Sequence, residues 1–305
     1  MTVIRNAVLA AVSLLCFTQA HATAVTGTVV RPGADHNAVV VDPATGVVYQ
    51  SSGVNSNQVK VYANSAAFAA GTVQRTVSTS TSLYGPYFTV NNGVIYGRTG
   101  SSGGAQLSSF SAATGAVLGS TTIADMGGTN GSDTFNWGGY SGVNAMNSGN
   151  GLYVVGGAAS GVNKRWTIAS LDYSLGQQRS VSFDLLTPAA GYAFAVNGYV
   201  FFGDSYNSLH ISQRVEAATG AVVPVDFTLS GLSPTGAYYI DGASYDSRND
   251  ALYLSNYARS IGKADNLAQQ LGVQRSAVPE PGTLAVFGLG LAALGLARRR
   301  GAASK

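Results

Sequence analysis

Between residues 23 and 277 the apolar positions come in short runs that alternate with polar ones and stop at Gly, Asn or Asp. Ala105-Gln106-Leu107-Ser108-Ser109-Phe110 and His210-Ile211-Ser212-Gln213-Arg214-Val215 are typical. A period near two sends successive side chains to opposite faces, so these runs read as β-strands. Only residues 264–271 carry helical spacing in this stretch. The runs repeat. A turn, then a strand with an aromatic, recurs at Gly46-Val47-Val48-Tyr49, Asn92-Gly93-Val94-Ile95-Tyr96, Asn150-Gly151-Leu152-Tyr153, Asn197-Gly198-Tyr199-Val200-Phe201 and Asp250-Ala251-Leu252-Tyr253. Asn-Gly between such runs is a strong hairpin signal, because both turn positions need positive φ. The pattern predicts third and fourth strands at 105–110 and 117–123, at 165–171 and 180–185, and at 210–215 and 222–229. The turns Ala112-Ala113-Thr114-Gly115 and Ala217-Ala218-Thr219-Gly220 join two of these pairs. Four strands in about 50 residues describe a propeller blade. Five such units fill the middle and predict an all-β, five-bladed propeller over residues 23–265, with a linker at 266–277. A spare strand at 25–30 is expected to close the ring by pairing into the last blade. A β-sandwich and a β-solenoid are the alternatives.

Composition sharpens this picture. Glycine supplies 39 of the 305 residues, as many tight turns require. Charged residues make up only 10%, against the usual quarter, while apolar residues make up 46%, enough for a core. The net charge of +3 belongs to the ends. Residues 23–277 hold 12 basic and 13 acidic residues, a balance of −1. That balance lacks the basic footprint of a nucleic-acid binder. The single cysteine, Cys16, precedes this region, so the middle has no disulfide, thiolate metal site or cysteine nucleophile.

The first 22 residues read as a signal peptide. Arg5 is followed by an apolar run at 7–17 and by Ala20-His21-Ala22, a small-x-small site that predicts cleavage after Ala22. Residues 278–305 begin with Val278-Pro279-Glu280-Pro281, continue with an apolar stretch at 282–297 and end near Arg298-Arg299-Arg300. As a helix the stretch measures about 24 Å, somewhat short of a bilayer core, which snorkelling arginines and local thinning accommodate. The arginines act as a membrane stop and place the extreme C-terminus in the cytoplasm. These three features in this order resemble the PEP-CTERM protein-sorting domain. The resemblance implies recognition by exosortase, a membrane protease-transpeptidase, with processing near Pro279, Glu280 and Pro281. It also implies export through the membrane to the surface or extracellular matrix of a Gram-negative bacterium, often one that makes exopolysaccharide. It implies nothing about the middle.

Candidate chemistry in the middle is thin. His36 and His210 lie in different units without a metal-binding spacing, and Asp35-His36 reads as a turn after Pro32-Gly33. Glycoside hydrolysis needs two carboxyl groups. Glu216, the only glutamate of the middle, and Asp204, Asp241, Asp246 and Asp250 near strand ends are the available acids. Residues 246–250 read as a turn, with a weak calcium site as the second reading; no other cofactor is implied. The glycine-rich segments 100–104 and 127–131 lack a P-loop lysine and read as loops. Tyr84, Tyr87, Trp137, Tyr140, Trp166, Tyr206, Tyr238 and Tyr239 lie near Gly- and Asn-rich loops, a composition that suits sugar rings, although packing between blades is the favoured explanation and Trp166 reads as core. The expectation is therefore a non-enzymatic binding or scaffolding module for exopolysaccharide or surface partners. The alternative is a secreted propeller hydrolase or lyase acting on polysaccharide.

Overall fold

The computed structural model describes residues 23–273, apart from 33–37, 53–55, 84–86, 100–104, 125, 127–142, 158–164, 187–189, 233–239 and 257–259. The leader, the sorting segment and the 282–297 stretch lie outside the described residues. Among the described residues no helix is long and apolar enough to cross a membrane.

Two strands open the chain, β1 (Thr23–Thr26) and β2 (Thr28–Pro32). Blade 1 follows with β3 (Val39–Val41), β4 (Val48–Ser51), β5 (Gln58–Tyr62) and β6 (Arg75–Ser78). Blade 2 holds β7 (Phe88–Asn91), β8 (Val94–Arg98), β9 (Ala105–Ser111) and β10 (Val117–Ile123). Blade 3 holds β11 (Val143–Asn147), β12 (Leu152–Gly157), β13 (Arg165–Leu171) and β14 (Gln177–Asp184). Blade 4 holds β15 (Tyr192–Val196), β16 (Tyr199–Gly203), β17 (His210–Glu216) and β18 (Val222–Ser230). Blade 5 holds β19 (Ile240–Asp246), β20 (Ala251–Asn256) and β21 (Ser260–Asp265). Every blade is an antiparallel meander, and the five first strands β3, β7, β11, β15 and β19 adjoin one another in a ring.

Blade 5 lacks a fourth strand of its own. β2 supplies it, pairing antiparallel with β21 from Thr28 opposite Lys263 to Pro32 opposite Ser260. β1 goes elsewhere. It adds a parallel fifth strand to blade 4, with Thr23 opposite Phe227 and Thr26 opposite Ser230. The expected spare strand is thus two strands that bridge the last two blades. Arg31 seals the remaining gap to blade 1. Its Nη1 donates to Tyr62 Oη at 2.9 Å, and its guanidinium lies 5.2 and 5.1 Å from the ring centres of Tyr62 and Phe68. Such stacking is favourable when partly desolvated.

The core consists of five seams between blades. Alternate residues of a first strand face opposite neighbours. On β15, Tyr192, Phe194 and Val196 join the blade 4–blade 5 seam, whereas Ala193 and Ala195 join the seam to blade 3. On β3, Val39 and Val41 face blade 5 and Val40 faces blade 2. The period of two therefore sorts side chains between two buried faces, and the first strands are apolar on both. Aromatic pairs lock the seams. Phe194 stacks on Phe201 at 5.4 Å, and Trp166 meets Phe202 edge-on at 5.4 Å across the blade 3–blade 4 seam.

The turns follow the sequence signals with one exception. Asn92-Gly93 and Asn197-Gly198 have positive φ throughout, as tight hairpins require. At the third repeat the positive φ falls on Gly149, and Ser148 N–H donates to Gly151 O across a wider turn. The segment read as a linker starts with a helix, Leu267–Gln270. Leu267, Ala268, Leu271 and Val273 are buried in the blade 4–blade 5 seam. The helix also meets the first strand, where Thr26 N–H donates to Gln270 Oε1 at 3.0 Å.

Candidate functional site

The axis of a propeller is its natural opening. Here it is narrow, with about 290 Å3 of unfilled space, part of it open to solvent, lined by Val40, Phe88, Thr89, Met146, Asn147, Ala195, Ser244 and Tyr245 among others. Polar side chains on the first strands largely bind backbone of the adjacent blade. Asn144 Nδ2 donates to Ala193 O at 2.9 Å, and the Ser244 hydroxyl donates to the Val39 carbonyl. Among the described residues no group of three or more His, Cys, Asp or Glu side chains is placed to hold a metal ion.

The acids serve mainly as turn locks. Asp42, fully buried, accepts hydrogen bonds from the N–H groups of Ala44 (3.0 Å), Asn92 (2.9 Å) and Gly93 (2.8 Å), so one carboxylate fixes its own turn and the next blade's hairpin. Asp172 Oδ1 accepts from Ser174 Oγ at 2.6 Å and from Gly176 N–H at 2.9 Å; these bonds, that of Ser174 first, lower its pKa. Asp246 accepts from Arg248 N–H and from Asn249 Nδ2 (3.0 and 2.7 Å). Asp250 Oδ1 accepts from Tyr245 Oη and Ala268 N–H (3.0 and 2.7 Å). The 246–250 segment is thus a turn whose carboxylate oxygens receive protein donors. Glu216 accepts from Thr219 Oγ1 at 2.6 Å within its Ala-Ala-Thr-Gly turn. Asp241 falls within β19.

One cluster stands apart on blade 4. His210, the first residue of β17, places Nδ1 2.5 Å from Asp204 Oδ2 and Nε2 2.9 Å from Asp226 Oδ1. Asp204 Oδ1 accepts from Ser212 N–H and Oγ at 3.0 and 2.6 Å. The hydrogen bond to Asp204, then that to Asp226, raises the His210 pKa. The imidazole lies between the two carboxylates and is within hydrogen-bond distance of both. Nearby, Tyr192 Oη is buried with no hydrogen-bond partner among the described residues, and burial pushes its pKa far up.

Of the residues singled out from the sequence, Asp204 and His210 come together. Asp226, on the adjacent strand, was missed. Folding the 210–229 hairpin about its Ala-Ala-Thr-Gly turn sets His210 opposite Thr228, two residues from Asp226, and that register was the available signal. Trp166 is core, 1% exposed. Tyr87 is buried, and its hydroxyl donates to Gly191 O at 3.2 Å. Tyr206 is half-buried beside the His210 turn. Asp35, His36, Tyr84, Trp137, Tyr140, Tyr238, Tyr239, segments 100–104 and 127–131, Ala20, Ala22, Val278, Pro279, Glu280, Pro281, Arg298, Arg299 and Arg300 lie outside the described residues.

Comparison with known proteins adds two family matches. The olfactomedin-like domain matches residues 34–261, and the PEP-CTERM protein-sorting motif matches residues 277–300. No curated protein matches the chain. Solved structures similar to it include the glutaminyl cyclase of Myxococcus xanthus, with a TM-score of 0.49, 12% identity and coverage of 80% of this chain and 99% of that one. BamB of Moraxella catarrhalis gives a TM-score of 0.41 and 11% identity over 75% of this chain and 85% of that one.

Proposed function

The chain belongs to the olfactomedin-like domain family and ends in a PEP-CTERM sorting motif, and from that premise we propose that its exported propeller is a non-enzymatic binding or scaffolding module for exopolysaccharide or surface partners. The sorting motif makes it an exported protein that passes through the membrane to the surface of a Gram-negative bacterium, with exosortase as its processing partner. The observation that carries the binding reading is the use of the acids. Asp42, Asp172, Asp246 and Asp250 receive the protein's own N–H and O–H groups. Carboxylates employed this way hold turns in register, and an acid–base pair facing open space is what hydrolysis would need. A rigid ring with five fixed turns is a suitable base for loops that bind. The test is a glycan array and a polysaccharide turnover assay on residues 23–277. Saturable glycan binding without turnover supports the reading, and turnover without binding overturns it.

The second reading, a polysaccharide hydrolase or lyase, draws on the one cluster with proton-transfer chemistry, Asp204–His210–Asp226. It expects turnover that His210→Ala abolishes. Turnover indifferent to that substitution removes the cluster from the chemistry.

A further inference from the structure

We propose that Asp204, His210 and Asp226 form an acid-strengthened clasp that fastens the 204–210 turn to β18 at the place where β1 docks. The geometry carries this. Both ring nitrogens of His210 face carboxylate oxygens, at 2.5 and 2.9 Å. A neutral imidazole has one N–H and one lone pair, so it satisfies only one of them and turns a lone pair towards the other. Only the imidazolium donates to both. Asp204 is held on the turn side, through Ser212 N–H and Oγ and through its own N–H, which donates to His210 O at 3.0 Å. Asp226 has no such second anchor among the described residues and is about half exposed, at 49%. Loss of the proton therefore releases the β18 side first.

That side matters because of register. Asp226 directly precedes Phe227 and Thr228, which face Ile211 and His210 on β17. The same two residues face Thr23 and Ala24 of β1 on the other edge. The charged and titratable groups around the ring are Asp204 from the turn after β16, Asp226 from β18 and the Tyr192 phenol of β15, which faces Asp204 and stays protonated. β1 brings no charged side chain to the site, and in the full-length chain Thr23 carries no free amino group, whereas cleavage after Ala22 would place one beside Phe227. Arg214, further along β17, lies over the Tyr199 ring at 4.5 Å. The sign follows from the raised His210 pKa. The clasp is complete below the ordinary value of 6.5 and is lost as pH climbs through the higher folded-state value.

The test is amide hydrogen exchange on the full-length protein in detergent, at about pH 5.5 and about pH 8, across the range in which histidine switches. Protection of Ala24, Val25 and Thr228, corrected for intrinsic rates, is expected to fall roughly two- to fivefold at the higher pH in the wild type, the scale of a solvent-screened ion pair. His210→Gln and Asp226→Asn are expected to flatten that dependence. Asp226→Asn keeps the ring and Asp204, so it serves even if His210→Gln fails to fold. Equal pH dependence in the wild type and Asp226→Asn overturns the clasp. So does a His210 ring that titrates in the folded protein at its ordinary value.

Discussion

Single side chains in this ring do the work of latches. Asp42 is the clearest, because it gives two oxygens to three N–H donors on two blades. Asp42→Ala takes the acceptor from the part-buried hydrogen bonds of Asn92 and Gly93 N–H, and we expect a loss of about 1–3 kcal/mol in urea unfolding. Asp42→Asn should recover only part, since its single carbonyl oxygen replaces a carboxylate that accepts on both. Two glycines offer a controlled comparison. Gly93 and Gly115 both have positive φ, 72° and 76°, but a Cβ on Gly93 meets nothing within 4 Å whereas one on Gly115 sits 1.9 Å from Ser78 O. Gly93→Ala should cost about 1–2 kcal/mol from the backbone alone. Gly115→Ala should cost clearly more, because the neighbouring blade must move, and denaturation midpoints will separate the two. Asn92-Gly93 and the Thr-Gly turns were legible in the sequence because their conformation depends on the residue itself. The partner of Asp42 was not, since it lies 50 positions away and depends on how two blades are set side by side.

At the level of strands, the alternation of apolar and polar residues located the third and fourth strands of blades 2 and 4 closely. The turn residues that bound them act locally. The same alternation did not reveal that first strands are buried on two sides, because Val39-Val40-Val41 offers no polar position to read. Nor did it reveal where β1 goes. A parallel pairing between Thr23–Thr26 and residues 227–230 has no local signature, and its meaning appears only when the edge of β18 is seen to need a cover. Val25 is fully buried in the blade 4–blade 5 seam with Leu229 and Leu271. Removing residues 23–27 should therefore expose both that seam and the free edge of β18, and unpaired edges recruit other chains. We expect the truncated protein to elute as larger species than the untruncated chain, which carries β1, in light-scattering chromatography. A monomeric truncation of unchanged stability would show that β1 contributes nothing to the edge.

For the whole molecule, the propeller and the sorting tail meet in one short stretch. The described fold runs to Val273, whose carbonyl accepts from Asn197 Nδ2 at 2.6 Å, and the sorting motif begins at residue 277. Little slack separates folded ring from processing signal. Substituting Glu280→Ala together with Pro281→Ala should leave full-length protein in the membrane fraction and reduce the surface form several-fold, readable on fractionated immunoblots, without changing the unfolding of the ring. The donation of β2 to blade 5 also sets an order of events. Thr28 and Lys263 are paired yet stand at opposite ends of the chain. In a protein threaded outward from its N-terminus, the residues that arrive first must wait for those that arrive nearly last. Until then four blades stand beside an unfinished fifth, with greasy seams open to proteases and to neighbours. Contacts so distant in sequence close slowly. Assembly of this protein is thereby timed by the passage of its final strand.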